Sequence, residues 1–285
     1  MITIRDRIWL YCAVPDAYNT ARYALPGVNT VKPWDACRSL DLKKAVMDVT
    51  LRGPEYPFDP ISEKLSFLDE LVWTVIPSGG VRRNENGFFD TEEVIRQIRR
   101  FPNVGGVFCD DFQLRRRKLC PPEKLAEMGR LMKAAADRPL DQWLVVYNYD
   151  LFADNTDYPI WNWTNNVDVL SFWTWQSFQL KVLPEHIDYV HRRCPDKKLN
   201  LGLYLWDFSL GKPLTDEWMQ IQLDTTLDGL RRSTLSGITV CASCLMGLGI
   251  KAEDDFRRWL DRYGNEEIED KAPVPVEAAV NNERV

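Results

Sequence analysis

Histidine is nearly absent from this chain: 285 residues hold two, His186 and His191. They sit five apart on one predicted helix, a spacing that does not bring them to a common face, so neither a histidine metal site nor a histidine-based triad is expected. An excess of positive charge is also missing. The formal net charge is -6, with lysine and arginine scattered among the acids, so no basic face exists to hold a phosphate backbone and nucleic acid is excluded as the expected partner. No uninterrupted apolar run is long enough to span a bilayer. The residues from Met1 to Arg7 lead straight into a strand without the apolar stretch of a signal peptide. No membrane partner is expected, and the cytoplasm is the expected location. Seven cysteines make an odd number, and Cys12, Cys109 and Cys241 lie inside apolar runs, which suits free thiols in a reduced protein. Finally, no glycine-rich phosphate loop follows the first strand, which runs instead into Pro15-Asp16-Ala17-Tyr18-Asn19. That argues against an open doubly wound sheet and a nucleotide cofactor. No cofactor and no metal are expected.

What is present is a repeat. Hydrophobic residues make up 45% and charged residues 27%, enough for a folded domain with a sizeable core. Eight short β-rich apolar runs recur, at 8–14, 45–51, 71–76, 106–110, 143–148, 167–173, 200–206 and 237–243, mostly separated by helical patterns. Helix starts are marked at Thr91-Glu92-Glu93, Pro121-Pro122-Glu123 and Thr215-Asp216-Glu217, and a last helix over 252–263 ends at Gly264. Eight βα units predict an α/β fold, a single-domain (β/α)8 TIM barrel over 1–264, followed by a flexible acidic tail over 265–285. Residues 15–43 fit a regular unit least well and predict long loops.

Strand alternation then selects the side chains that face the barrel interior. Leu201, Leu203 and Leu205 form an outward set, leaving Gly202, Tyr204 and Trp206 inside. Val107 and Cys109 face outward, leaving Phe108 and Asp110 inside. In the second strand Ala45, Met47, Val49 and Leu51 alternate with Asp48, Thr50 and Arg52. The same parity places Tyr11, Thr74, Tyr147, Trp173, Thr239, Cys241 and Ser243 inward, with Asp111, Asn148, Trp175 and Asp207 just above at the rim. The ring is aromatic and acidic, a combination suited to a sugar, whose apolar faces stack on aromatic rings while carboxylates bind its hydroxyls. No strand ends in lysine, which argues against Schiff-base chemistry.

Asp110-Asp111 is the strongest feature, because two carboxyls ending an apolar strand cost burial energy unless they are used. The plainer alternative is a helix cap together with an ion pair to Arg115-Arg116-Arg117. Asp207 offers another rim carboxylate, or a loop cap. Asp48 and Arg52 form either a structural ion pair or a ligand-positioning pair. Trp173 and Trp175, followed by Gln176, form a sugar platform or fill the core. Cys241 and Cys244 point to opposite sides of a strand and make no redox or zinc motif. Ser78-Gly79-Gly80 reads as a plain turn, with an anion nest as the alternative.

The run Gly105-Gly106-Val107-Phe108-Cys109-Asp110-Asp111-Phe112, with Ser171-Phe172-Trp173-Thr174-Trp175 and Tyr204-Leu205-Trp206-Asp207, resembles strand ends of TIM-barrel glycoside hydrolases. Several of those families place a catalytic aspartate at the end of strand four. A chitinase-like run of acids ending in glutamate is not present, since Phe112 occupies the next position. The resemblance implies a glycosidase acting on a carbohydrate substrate, with Asp110, Asp111 and Asp207 catalytic. Tyr11, Asp48, Arg52, Tyr147, Asn148, Trp173, Trp175, Gln176, Tyr204 and Trp206 would bind substrate. Strands four and seven lie on opposite sides of a barrel, so an Asp110/Asp207 couple would invert configuration. Two other readings stay open: a non-catalytic carbohydrate-binding barrel, and a lyase or isomerase acting on an acidic sugar with Arg52 or Arg82 as the carboxylate clamp.

Overall fold

A computed structural model describes residues 1–79, 81–152 and 157–270. Among the described residues there are ten strands: β1 (Ile2–Thr3), β2 (Ile8–Cys12), β3 (Lys44–Met47), β4 (Glu70–Ile76), β5 (Val104–Cys109), β6 (Asp141–Tyr147), β7 (Val169–Trp173), β8 (Lys198–Tyr204), β9 (Gly237–Cys241) and β10 (Glu267–Ile268). Strands β2 to β9 pair in parallel, each with the next, and β9 returns to β2, closing an eight-stranded barrel. The chain is thus a (β/α)8 TIM barrel, with helices around the closed sheet.

The helices begin where acids and prolines favour a helix amino terminus. Helix α3 (Thr91–Arg100) has Glu92 and Glu93 in its first turn and Arg99 and Arg100 in its last, complementing the helix dipole at both ends. Helix α5 (Pro122–Ala135) opens on the expected proline, and α8 (Asp216–Arg231) is capped by the Thr215 hydroxyl, which accepts from the Trp218 amide at 3.3 Å. The other helices are α1 (Pro33–Ser39), α2 (Asp59–Lys64), α4 (Leu114–Leu119), α6 (Trp161–Thr164), α7 (Leu183–Arg193) and α9 (Lys251–Tyr263). No helix among the described residues is long and apolar enough to cross a membrane. His186 and His191 lie on α7, where the His186 ring neighbours Phe152 and Phe172 and the His191 ring meets the Thr234 carbonyl.

The strands β1 and β10 pair antiparallel, Ile2 with Ile268 and Thr3 with Glu267. Past Gly264 the chain thus lies against its first residues, with the Ile4 amide donating to the Glu266 carbonyl at 3.0 Å and Ile268 buried. Residues 271–285 of the expected tail, and Gly80 of the expected turn, lie outside the described residues.

Inside the barrel, large aromatic side chains fill the amino-terminal half. The rings of Trp9 and Trp143 meet edge to face at 5.2 Å, and Phe108 lies 6.0 Å from Trp143. Some polar interior groups pair with one another: Thr239 donates to Asn200 at 2.8 Å, and the Trp173 indole donates to Ser171 at 2.8 Å, while Asn200 Nδ2 and the Trp9 and Trp143 indole nitrogens have no partner. Gly202 is required where it stands, since a Cβ there would lie 2.0 Å from the Trp173 ring. This plug closes the barrel from below, so the open space lies at the carboxyl ends of the strands.

Candidate active site

A cavity of about 1200 Å³ occupies that end. Its floor is set by strand alternation: Tyr11 from β2, Trp173 from β7, Tyr204 from β8 and Cys241 from β9 all face it, as do Asp110 and Asp111 just past β5 and Tyr147 at the end of β6. Its walls come from the loops. Residues 15–23 contribute Asp16, Tyr18 and Tyr23, and the loop after β6 contributes Tyr149, which stacks on Tyr147 with ring centres 5.0 Å apart. Trp175 stands nearly perpendicular to both Tyr147 (85°) and Tyr204 (81°).

Two consecutive carboxyls line this cavity because the strand's alternation breaks between them. Asp110 continues the inward set of β5. Asp111 has φ 40°, in the left-handed region that aspartate tolerates better than most residues, and this returns its side chain to the same space. Each carboxyl has its own phenol. Tyr11 donates to Asp110 Oδ2 at 2.6 Å and Tyr147 donates to Asp111 Oδ1 at 2.6 Å. The Asp111 amide donates to Asp110 Oδ1 at 2.7 Å, and the Gly79 amide donates to Asp111 Oδ2. Gly79, after β4, thus holds a carboxyl from its own chain.

Asp110 is 6% exposed, and its pKa is driven well above the usual carboxylate range. The largest cause is burial, with the neighbouring Asp111 and Asp48 carboxyls acting the same way against the donors. Asp48 is fully buried and is pushed up to about 6, first by burial, while the Tyr18 phenol, donating to Oδ2 at 2.9 Å, opposes that rise. Its other oxygen has no hydrogen-bond partner.

The remaining sequence-predicted residues divide into two groups. Gln176 and Arg52 also line the cavity. Asn148 does not line it but positions groups that do: it donates to Gln176 at 3.2 Å and accepts from the Trp175 amide at 2.9 Å. Asp48 lies behind the wall, under Tyr18. The expected Asp48–Arg52 pair does not form. β3 ends at Met47, and the chain then folds into a bridge between Thr50 and Gly53, which carries Arg52 out to Asp16 (3.3 Å) and leaves Leu51 72% exposed at the rim rather than under a helix.

Strand alternation also stops early on β8, which ends at Tyr204. Trp206 consequently leaves the inward set: it is buried against the 15–23 loop, its indole donating to the Tyr23 carbonyl at 2.8 Å. Asp207 is absent from the cavity lining. Its carboxyl accepts from Ser177, from the Ser209 hydroxyl at 2.6 Å and from the Leu210 amide at 3.0 Å. Buried, held by these three donors and outside the cavity lining, Asp207 does not face a ligand in the cavity, so the acid role read from its position has no geometric support.

Sequence reasoning missed Tyr18, Tyr23, Tyr149, Tyr158 and Phe208, which line the cavity from irregular loops that carry no periodic signal. The tyrosine-flanked Asn148 in Tyr147-Asn148-Tyr149 was the one local cue. The arginines after Asp111 do not neutralise the pair: Arg117 pairs with Asp150, and Arg115 and Arg116 with Glu85. Among the described residues, no group of three His, Cys, Asp or Glu side chains is arranged to hold a metal ion.

No protein-family model matches the chain, and no curated protein matches it in sequence. Solved structures do match in shape. One is a GH113 beta-mannanase from Alicyclobacillus acidocaldarius, with 9% identity and TM-score 0.54, covering 92% of this chain and 98% of that one. A GH10 xylanase from Thermobacillus composti matches at 11% identity and TM-score 0.51, over 84% and 85% of the two chains. A xylanase and alpha-amylase inhibitor protein from Scadoxus multiflorus matches at 8% identity and TM-score 0.56, over 90% and 98%. At such identities the likeness is one of fold, and the same fold carries enzymes and an inhibitor alike.

Proposed function

We propose that this chain is an enzyme of the glycoside hydrolase kind, which cleaves a glycosidic bond in the cavity with the Asp110/Asp111 pair. The observation that carries the reading is the pair itself: two adjacent carboxyls with different surroundings, both facing an aromatic cavity at the catalytic end of a TIM barrel. Asp110, buried and driven toward its protonated form, is the proton donor to the leaving oxygen. Asp111, whose carboxyl accepts from Tyr147 and Gly79, acts as base or nucleophile at the anomeric carbon. Trp175, Tyr147 and Tyr204 supply the rings against which sugar faces stack. The folds of the mannanase and the xylanase agree with this reading.

Turnover of a panel of plant and microbial polysaccharides, followed as reducing ends released, tests it. Asp110→Asn should cut the rate roughly 10²–10⁴-fold while sugar binding and folding persist, the range for loss of a general acid. Undiminished turnover in that variant would overturn the assignment. Binding without turnover in the wild type as well would make the protein a carbohydrate-binding barrel.

A further inference from the structure

Glycosidic cleavage needs two carboxyls, yet this site gathers three: Asp48 lies within the electrostatic field of Asp110 and Asp111, and both Asp48 and Asp110 are buried. Among the described residues, no lysine, arginine or histidine makes an ion pair or hydrogen bond with any of the three. Their donors are neutral: the phenols of Tyr11, Tyr18 and Tyr147 and the amides of Gly79 and Asp111. The nearby cations are spent elsewhere. Arg117 pairs with Asp150 and Arg52 with Asp16, Arg22 lies over the Tyr23 ring at 5.6 Å, and Arg116, which feels the pair's charge, donates to the Val81 carbonyl at 2.7 Å. Negative charge concentrated in a low-dielectric pocket without a protein counter-charge is relieved either by protons or by a cation brought in by the ligand.

Asp110, the proton donor of the proposed reaction, takes the first route, and the walls offer the second for the charge that remains. Trp175 stands perpendicular to Tyr147 and Tyr204, so the three rings form a corner whose π faces attract a cation. Resting on the glycosidase reading above, we infer that the sugar taken by this cavity carries a protonated amine, an unacetylated hexosamine unit held between the carboxylates and this aromatic corner. With Asp110 protonated, a neutral sugar would leave the buried Asp48 charge behind the cavity without a counter-charge. An acidic sugar would add to the negative charge already there.

Matched ligands that differ in one substituent test the inference. Glucosamine, galactosamine and mannosamine, each alongside its N-acetyl form and its parent hexose, are titrated into the full chain at neutral pH by ligand-observed NMR. The chitosan disaccharide, diacetylchitobiose and cellobiose extend the series. The amine form should bind tighter than both neutral partners by on the order of ten-fold, and added salt should reduce that ratio. Asp48→Asn, or Asp111→Asn should the first variant fold poorly, should bring the ratio close to one. Asp196→Asn removes the same charge from an exposed turn and should leave the ratio as it was. Equal binding of amine and neutral forms, or a ratio insensitive to both buried-site variants, would overturn the inference and leave the glycosidase reading standing. Failure of every sugar to bind would overturn both.

Discussion

Strands β5 and β8 both run out at the carboxyl-terminal rim into aspartates, yet the two ends do opposite things. After β5, a left-handed residue turns Asp111 back beside Asp110, and three of the four donors that reach the pair come from other elements: β2, β6 and the turn after β4. After β8, the chain folds back on itself, and two of the three groups that bind Asp207, Ser209 and Leu210, belong to the same loop. A carboxylate held by distant elements can face a cavity that those elements enclose. One held by its own loop is a staple for that loop. Rim position alone therefore does not identify a reactive acid; the origin of its donors does.

Substitutions break or sharpen this contrast. The largest effect expected at β8 is on folding: Trp206→Ala, which empties a buried site and orphans the Tyr23 carbonyl, should destabilise the chain by about 3–5 kcal/mol in chemical denaturation. Trp175→Ala, at the cavity wall, should instead weaken sugar binding by roughly 1–3 kcal/mol with little change in stability. A Trp206 variant that lost affinity but kept its stability would erase the distinction between the two ends. Asp207→Ala should cost about 1–3 kcal/mol for each buried donor left without a partner, while turnover per folded molecule stays near wild type. A Tm unchanged by this substitution would refute the staple.

The buried acids should also leave a mark on stability against pH. Asp48 is held at about 6 in the fold against roughly 3.9 in an unfolded chain. Its raised pKa means that its contribution is fully present below about 4 and is lost as pH rises through about 6, on the order of a few kcal/mol. Asp110 acts with the same sign. Asp48→Asn should accordingly flatten the fall in Tm between mildly acidic and neutral pH. Parallel curves for the variant and the wild type would show that the Asp48 burial carries no such cost.

The fold was legible because burial on both faces writes itself into the strands. The apolar runs and the helix starts at Thr91, Pro122 and Asp216 need no distant information, and all eight barrel strands fall within one or a few residues of the predicted runs. Two-residue strands such as β1 and β10 are too short to carry a pattern, and their pairing joins the first residues to the segment that follows α9. Parity located Tyr11, Asp110, Tyr147, Trp173, Tyr204 and Cys241 at the cavity, but only as far as each strand persists. It failed at Trp206, and Arg52 reaches the cavity rim through a turn rather than by strand alternation, because β8 and β3 stop at Tyr204 and Met47. The tyrosines of the 15–23 loop were invisible because their placement rests on tertiary contacts, such as Tyr18 with Asp48 and Tyr23 with Phe208, rather than on any local period.

The central claim is that the Asp110/Asp111 pair adds water across a glycosidic bond. Mass spectrometry of products formed in ¹⁸O-labelled water tests it most directly, with wild type, Asp110→Asn, Asp111→Asn and Asp207→Asn run side by side. The account predicts one labelled oxygen at the newly formed sugar end with wild type and with Asp207→Asn, and no product above background with either variant of the pair. Labelled product from Asp110→Asn at the wild-type rate, or cleavage products that contain no added water, would contradict it.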